Sequence, residues 1–150
     1  MDFGLSNIEL MSIKEIEEGI VEEFSYYDDW MGKYEYIIEL GKSLPLIDEK
    51  YKTEENLIKG CQSRVWLYAE IEGDKIVFTA DSDAIITKGI IGLLIRVLSH
   101  QTPDDIINTD LSFIDRIGLK EHLSPTRSNG LVSMIKQMKL YALALKTKML

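Results

Sequence analysis

The sequence predicts an α+β fold, with a small antiparallel sheet of two or three strands packed with helices on one side. Apolar residues recur at helical spacing near both ends of the chain. Between these segments, two runs of β-favouring residues flank the turn sequence Glu72-Gly73-Asp74. A chain of 150 residues, 45% of them hydrophobic, can bury one sizeable core. We therefore expect a single domain over residues 1–150.

The first helix is predicted from residue 12 to about residue 27. Ser12 and Glu15 form a capping-box pattern, in which the two residues satisfy each other's backbone N–H groups. Behind them the apolar residues recur at helical spacing, namely Ile13, Ile16, Ile20, Phe24 and Tyr27. Residues 1–11 carry no clear pattern, so we expect them to fray.

A second helix is predicted over about residues 30–42. Asp28 and Asp29 interrupt the preceding pattern and can cap this helix. Pro45 follows it, and the residue before a proline disfavours the helical region of the backbone. Residues 46–56 are predicted to form a loop or short turns.

Residues 65–71 and 75–80 are predicted to be the two strands of an antiparallel hairpin. An isolated hairpin is only marginally stable in water. We therefore expect support from packed helices or from a third strand around residues 56–59.

The segment after the hairpin predicts the central helix of the core. Asp81-Ser82-Asp83 should cap it, with Asp83 as the cap, and the helix should extend to about Leu98. Its apolar residues lie on nearly every side, which is typical of a helix buried in a core. Gly89 and Gly92 each lower helix propensity by about 1 kcal/mol relative to alanine. Their presence predicts that another backbone approaches this helix closely.

The pattern of the C-terminal third of the chain predicts short helices followed by a long one. One short helix begins at Thr102-Pro103, and another lies within residues 110–116 before a break at Gly118. Ser124 or Thr126 can cap the last helix. The apolar stripe of that helix consists of Leu131, Ile135, Met138, Ala142 and Leu145.

Composition excludes several classes of function. The net charge of −8 and the pI near 4.8 argue against binding to nucleic acids and to anionic membranes. A single cysteine excludes an internal disulfide and a multi-cysteine zinc site. No basic segment leads into an apolar one at the N-terminus, and the apolar runs are shorter than a membrane span. We therefore expect a soluble cytoplasmic protein.

Cys61 is the candidate nucleophile, on a predicted loop just before the first strand. Gly60 precedes it, and Gln62, Ser63 and Arg64 follow. Lys59 and Arg64 flank the thiol, and nearby positive charge favours the reactive thiolate. Free cysteine is also among the most buried and inert residues. From this local context alone, a reactive and a structural role are equally open.

Three blocks of sequence resemble the SufE family of sulfur-acceptor proteins in their order and spacing. The resemblance covers about Tyr34 to the C-terminus. The blocks are Gly60-Cys61-Gln62-Ser63 with Val65-Trp66, Asp81-Ser82-Asp83-Ala84 followed by Lys88-Gly89, and His122-Leu123-Ser124-Pro125-Thr126-Arg127-Ser128-Asn129-Gly130-Leu131. The resemblance implies a SufE/IscU-like version of the predicted α+β fold.

The resemblance also implies a function in iron–sulfur cluster assembly. The chain would accept sulfur from a SufS/CsdA-type cysteine desulfurase, activate that enzyme, and pass the sulfur to a SufBCD-type scaffold. Cys61 would hold the sulfur as a persulfide, so the chain would be a sulfur carrier and not a complete enzyme. Pyridoxal phosphate would belong to the desulfurase, and the chain itself would need no cofactor and no metal. The family also places the central helix behind the cysteine loop, which is therefore the backbone expected near Gly89 and Gly92.

Five further residues are candidates for supporting roles. Arg127 could stabilise the persulfide anion or fasten the cysteine loop, or it could be a surface arginine at a helix start. Gln62 and Ser63 are expected to form hydrogen bonds within the loop, and Asp83 to cap the helix. His122 matches a family position and could act as an acid or base, or be purely structural.

Two other functions stay open at this point. A stand-alone cysteine hydrolase or transferase would need a base, for which the chain offers only His122 or His100. A non-catalytic binding module would simply bury Cys61. For the sulfur-acceptor function, we expect the Cys61 loop to be sheltered at rest and to move outward when the desulfurase docks.

Overall fold

A computed structural model describes residues 11–149 of the chain. Residues 1–10, on which most of the predicted fraying falls, lie outside the described part. The helices are α1 (Ile13–Ser25), α2 (Trp30–Gly41), α3 (Ile85–Leu98), α4 (Pro103–Asn108), α5 (Phe113–Arg116) and α6 (Pro125–Lys148). The strands are β1 (Val65–Glu72) and β2 (Lys75–Ser82), and short 3-10 turns lie at Glu49–Tyr51, Glu54–Asn56 and Lys120–His122.

Helices α1 and α2 confirm the predicted N-terminal pair. The capping box of α1 is formed: Ser12 Oγ accepts from the Glu15 backbone N–H, and Glu15 Oε1 accepts from the Ser12 N–H, each at 3.2 Å. The helix ends at Ser25, two residues earlier than predicted. Asp29 is the N-cap of α2, and its carboxylate accepts from the Gly32 N–H at 2.9 Å.

The two strands form the predicted antiparallel hairpin, with register from Val65 opposite Ser82 to Glu72 opposite Lys75. Alternate side chains of each strand face the core, because successive residues of a strand point to opposite faces. The buried set is Val65, Leu67, Ala69, Ile76, Phe78 and Ala80. On the opposite face, Tyr68 stacks on Tyr51 with ring centroids 3.8 Å apart. The helices thus pack on one side of the sheet, and the loop before β1 contacts its other side.

Of the two supports considered for the hairpin, packed helices are present, whereas a third strand around residues 56–59 is not. Within residues 11–149 the sheet has two strands, and this segment contributes only an isolated bridge between Leu57 and Trp66. The Ile58 N–H donates to the Val65 carbonyl at 2.8 Å, and two residues later Gly60 adopts a φ of +94°. That left-handed turn ends the extended conformation before a strand can form.

Helix α3 is the centre of the core, as predicted, but its close neighbour is not the cysteine loop. A Cβ added at Gly89 would overlap the carbonyl oxygen of Ile37 in α2, and one at Gly41 would lie 3.0 Å from the Gly89 nitrogen. Near Gly92 the closest atoms are 3.8 Å from such a Cβ, which is ordinary contact. The backbone that approaches α3 is therefore α2, at the point where Gly41 and Gly89 meet.

The predicted cap of α3 by Asp83 is also wrong. The N-cap residue is Ala84, whose side chain makes no cap hydrogen bond, while Ser82 Oγ accepts from the Ala84 N–H at 3.2 Å. Strand β2 continues to Ser82, two residues beyond the predicted end at Ala80. Asp83 consequently points back towards the hairpin, where its Oδ1 accepts from the Arg64 N–H at 3.0 Å.

The C-terminal helices follow the predicted order. Thr102 caps α4 through its side chain. After the short helix α5, Gly118 adopts a left-handed φ of +71°, which prevents the helix from continuing. Ser124, one of the two predicted candidates, is the N-cap of α6. None of the helices in residues 11–149 is long and apolar enough to cross a membrane.

Candidate functional site

The loop that carries Cys61 is held at both ends by the core. Ile58 and Val65 are both buried, and the hydrogen bond between them closes the base of the loop. Gly60 is essential to its path, because a Cβ there would clash with Ser133 Oγ of α6 and the φ of +94° disfavours other residues. The loop therefore lies directly over the first turns of α6.

The thiol of Cys61 is half-buried against α6. Its Sγ lies 3.7 Å from the carbonyl oxygen of Gly130, to which the S–H can donate. A Cβ at Gly130 would be 3.5 Å from the sulfur, so this glycine leaves the thiol in direct contact with the helix backbone.

The local charges do not activate this thiol in the resting structure. Burial raises the pKa of the Cys61 thiol above its ordinary value. Lys59 and Arg64, which were expected to favour the thiolate, are both exposed to solvent. In this conformation burial therefore raises the pKa of the Cys61 thiol, the opposite of the effect expected from the flanking cations.

A cleft of about 530 Å³ opens beside Cys61. Three separate segments form it: the cysteine loop, the start of α3 and the start of α6. Its lining residues are Cys61, Gln62, Ser63, Ala84, Thr87, Ile90, Ser124, Thr126, Arg127, Gly130 and Met134. Neither a carboxylate nor an imidazole is among these residues, and the polar side chains of the lining are hydroxyl groups, the Gln62 carboxamide and one guanidinium.

Three hydrogen bonds that involve side chains fasten the second half of the loop to the junction of β2 and α3. Ser63 Oγ donates to Thr87 Oγ1 at 3.2 Å, and Thr87 is buried. The backbone of Arg64 is held on both sides, by Asp83 Oδ1 at its N–H and by Ser82 Oγ at its carbonyl (2.8 Å). The resting position of Cys61 thus depends on these polar contacts as well as on the buried base of the loop.

An ion-pair network lies next to this junction. Asp81 Oδ2 accepts from Lys52 Nζ at 3.0 Å, and Asp81 Oδ1 lies 3.4 Å from Lys88 Nζ. Burial alone would raise the pKa of the Asp81 carboxyl, but the hydrogen bonds from Lys52 and the Ser82 N–H, with the charge of Lys88, outweigh it and lower that pKa. The network joins the loop before β1, the end of β2 and the first turns of α3.

Arg127 lines the same cleft as Cys61. Its guanidinium is exposed and has no ion-pair or hydrogen-bond partner within residues 11–149, while its backbone N–H donates to the cap Ser124. Gln62 is exposed and also lines the cleft. Of the predicted supporting residues, the structure thus places Gln62, Ser63 and Arg127 in the cleft with Cys61.

Asp83 and His122 do not line the cleft. Asp83 contributes indirectly, through its hydrogen bond to the loop backbone. The imidazole of His122 stacks on Trp30 with centroids 4.0 Å apart, and its Nδ1 lies 3.0 Å from the Gly118 carbonyl. Tyr34 donates to the backbone carbonyl of His122. These contacts give His122 a structural position between α2 and the segment that leads into α6.

Sequence reasoning missed several residues that complete the cleft. Gly130 lies within one of the recognised blocks but was given no role, although its carbonyl oxygen is the acceptor for the Cys61 thiol. Nothing in the sequence marked Thr87 as a site residue, because helical spacing does not show which face of α3 meets the loop. The remaining unpredicted lining residues are Ala84, Ile90 and Met134, together with the hydroxyls of Ser124 and Thr126.

A second cavity of about 350 Å³ lies on the other half of α3. It shares no lining residue with the Cys61 cleft and contains no nucleophilic thiol. Most of its lining is apolar, including Leu40, Leu44, Val77, Phe78, Leu93 and Ile95.

Fold and site together define a class of protein: a small α+β domain that presents a single thiol in a cleft without a catalytic base. The family model of SufE, described as the Fe-S metabolism associated domain, matches residues 18–142. The chain therefore belongs to the SufE family. Membership links it to iron–sulfur metabolism and supports a role in sulfur transfer.

Relatives with the SufE-like name cover most of the chain. An uncharacterised SufE-like protein of Rhizobium meliloti is 40% identical over 125 residues, which are 80% of this chain and 89% of that protein. SufE-like protein 1 of Arabidopsis thaliana, described as chloroplastic/mitochondrial, is 38% identical over 130 residues, 86% of this chain but 35% of that longer protein.

A solved structure supports the fold. The solution structure of a hypothetical protein from Thermus thermophilus superimposes with a TM-score of 0.74. The match covers 88% of this chain and 96% of that one at 20% sequence identity. At this identity the likeness concerns the fold alone, and it agrees with the α+β arrangement described above.

Proposed function

We propose that this chain is the sulfur acceptor and activator of a cysteine desulfurase, with Cys61 as the residue that carries the sulfur. The observation that carries the proposal is the position of the only cysteine. It lies on a loop fastened by polar contacts, in a cleft that also holds a guanidinium without a partner in residues 11–149. Family membership supports a desulfurase as the partner, of the SufS or CsdA type, and a SufBCD-type scaffold as the next acceptor.

The transfer is a thiol exchange at sulfur. The Cys61 thiolate attacks the outer sulfur of a persulfide on the desulfurase, and the bond between that sulfur and the desulfurase cysteine breaks. The desulfurase cysteine leaves with the electron pair and takes up the proton that Cys61 has lost. Cys61 then carries the extra sulfur as Cys61–S–S⁻, and the step needs neither an oxidant nor a reductant.

Pyridoxal phosphate and the production of the first persulfide belong, in this proposal, to the desulfurase. Residues of this chain would act on the product. Arg127, which lines the cleft, can form a charge-assisted contact with the persulfide anion. Gly130 offers the carbonyl that holds the unloaded thiol.

Loading requires the Cys61 loop to move. In the resting structure the thiol is half-buried and burial raises its pKa, so it is a poor nucleophile there. Docking of the desulfurase would replace the Ser63–Thr87 and Arg64–Asp83 contacts and bring the thiol to the partner's persulfide. Between transfers, the same half-burial would slow attack on the persulfide by oxidants and reductants in bulk solution.

The arrangement gives little support to a stand-alone cysteine hydrolase. Such an enzyme needs a base within hydrogen-bond reach of the nucleophile. His122 is stacked on Trp30 outside the cleft, and His100 is not among the cleft residues either. A non-catalytic module that merely buries Cys61 is the remaining alternative, and it is tested directly by the variant below.

The proposal is tested by desulfurase turnover. Purified cysteine desulfurase from the same cell is supplied with cysteine, and alanine formation is followed with and without this protein. We expect wild-type protein to raise the rate, and Cys61→Ser to abolish the increase while still folding. An equal increase with Cys61→Ser would contradict the sulfur-acceptor proposal and favour the binding-module alternative.

A further inference from the structure

The Cys61 cleft has more room than one added sulfur atom needs. The cleft measures about 530 Å³. A single water molecule occupies about 30 Å³ in the liquid, so one added atom would fill only a small part of the cleft. This volume lies in the range of small-molecule sites, which is roughly 300–1,000 Å³. A protein partner can reach the half-buried thiol only if the loop moves, but a small molecule can enter the cleft beside Cys61 while the loop is at rest.

The charge of the cleft selects what can enter. The chain has 25 acidic and 17 basic residues, yet none of the acidic residues lines the cleft. Among the residues that line the cleft, Arg127 is the one with a charged side chain. It has no carboxylate partner within residues 11–149. The hydroxyls of Ser63, Thr87, Ser124 and Thr126 provide further hydrogen-bonding groups around it. A small anion is the ligand that satisfies a lone guanidinium in such a setting.

The two binding features lie on one side of the same helix. Arg127 and Gly130 are three residues apart in α6, so they are neighbours on its surface. Gly130 is the residue in contact with Cys61 Sγ. Both residues line the cleft, so an anion held by Arg127 would share it with the carried sulfur.

We propose that the Cys61 cleft binds a small thiol that bears a carboxylate, and that this thiol removes the outer sulfur from loaded Cys61 without a scaffold protein. The inference rests on the proposed function, because it requires Cys61 to carry a persulfide. It goes beyond that function by assigning a second, low-molecular-mass class of acceptor and the residue that recognises it. Arg127 holds the carboxylate, and the thiol sulfur faces the persulfide.

The exchange balances without a further reagent. The anion Cys61–S–S⁻ first takes up a proton from water to give Cys61–S–SH. The acceptor, as its thiolate, then attacks the outer sulfur, and the bond between Cys61 Sγ and that sulfur breaks. Cys61 leaves with the electron pair and is then protonated from water, which regenerates the free thiol. The acceptor departs as its own persulfide. Because a thiol whose pKa is raised leaves slowly, unbound thiols should discharge Cys61 slowly, and binding in the cleft provides the selectivity.

The test compares two thiols that differ in charge. Protein loaded by the desulfurase is purified and treated with 3-mercaptopropionate or with its uncharged amide at equal thiolate concentration. Loss of the extra sulfur is followed by intact mass. One exposed charge-assisted contact is worth about 1 kcal/mol, so we expect the carboxylate to discharge Cys61 about fivefold faster than the amide.

Two variants of α6 test whether Arg127 causes the faster discharge by the carboxylate-bearing thiol. Arg127→Gln should bring the two rates together, whereas Lys136→Gln, an exposed lysine of the same helix that does not line the cleft, should retain the fivefold preference. Equal rates in wild type, or a preference that survives in Arg127→Gln, would overturn the inference. If the desulfurase does not load Cys61, the proposed function fails instead. Protein persulfidated with inorganic polysulfide then still tests the cleft alone.

Discussion

At the scale of single residues, burial and charge compete, and the outcome differs between Cys61 and Asp81. Cys61 has exposed cations on either side in sequence, whose effect on the thiol is weak because water screens them. Its raised pKa therefore follows from burial. Asp81 is partly buried as well, but its two lysines contact the carboxylate directly, and its pKa is lowered despite burial.

Asp81 should be a measurable source of stability. Asp81→Asn removes the charge that holds Lys52 and Lys88 in place, and we expect a loss of about 1–2 kcal/mol in the free energy of unfolding at pH 7. Denaturant-induced unfolding at pH 7 measures this loss of unfolding free energy. The matched control is Asp104→Asn, because Asp104 pairs with Lys146 on the surface with 63% of its side chain exposed, and such pairs contribute about 0–1 kcal/mol.

The contribution of Asp81 should also depend on pH. A carboxyl whose pKa is lower in the folded protein stabilises it above the unfolded pKa of about 3.9, and this stabilisation is lost as pH falls through the folded pKa. The difference between wild type and Asp81→Asn should therefore be full at pH 7 and shrink below about pH 4. A difference that stays constant down to pH 2 would show that the variant acts through packing.

At the scale of elements, the crossing of α2 and α3 fixes the position of the helix that backs the cleft. We expect Gly89→Ala to cost about 3 kcal/mol or more of unfolding free energy, because its Cβ would overlap the Ile37 carbonyl. Gly92→Ala, three residues along the same helix with 3.8 Å of clearance, should instead stabilise by up to about 1 kcal/mol. Denaturant melts of both variants provide the comparison. Equal effects would show that α2 does not meet α3 at Gly89.

The hydrogen bond between Ser63 and Thr87 should control opening of the Cys61 loop. Thr87→Val keeps the shape of the buried side chain but removes the hydroxyl, which costs about 1 kcal/mol of contact energy. Hydrogen exchange of residues 60–64 should then be about fivefold faster, and the free energy of unfolding should fall by no more than the same ~1 kcal/mol. Thr87→Ser retains the hydroxyl and should keep the slow exchange. Unchanged exchange in Thr87→Val would mean that the contacts of Asp83 and Ser82 with the Arg64 backbone hold the loop without the Ser63–Thr87 bond.

The elements that sequence reasoning could predict are those defined by local patterns. The capping box at Ser12 and Glu15 and the turn at Gly73 each act within a few residues, and both are confirmed. The predictions that failed needed long-range information. Asp83 has the composition of a helix cap, but β2 extends far enough to direct it to Arg64 instead. A pair of glycines in α3 indicated a close neighbour, but not that the neighbour is α2.

At the scale of the whole molecule, the cleft exists because three distant segments meet around α3. Spacing within the chain predicted the loop of Cys61 and the cap of α6 separately, and only the family resemblance placed Cys61 and Arg127 in one functional site. The charges are also distributed unevenly: α6 carries Arg127 and lysines but no acidic residue, whereas the chain has a net charge of −8. This polarity can orient the cleft towards a partner during encounter.

The most direct test of the central claim is the intact mass of the protein after incubation with a cysteine desulfurase and free cysteine, without reductant. We expect a gain of one or more sulfur atoms that a thiol reductant removes. Cys61→Ser should show no gain. A gain of the same size in Cys61→Ser, or none in wild type with the desulfurase of the same cell, would contradict the assignment of Cys61 as the sulfur acceptor.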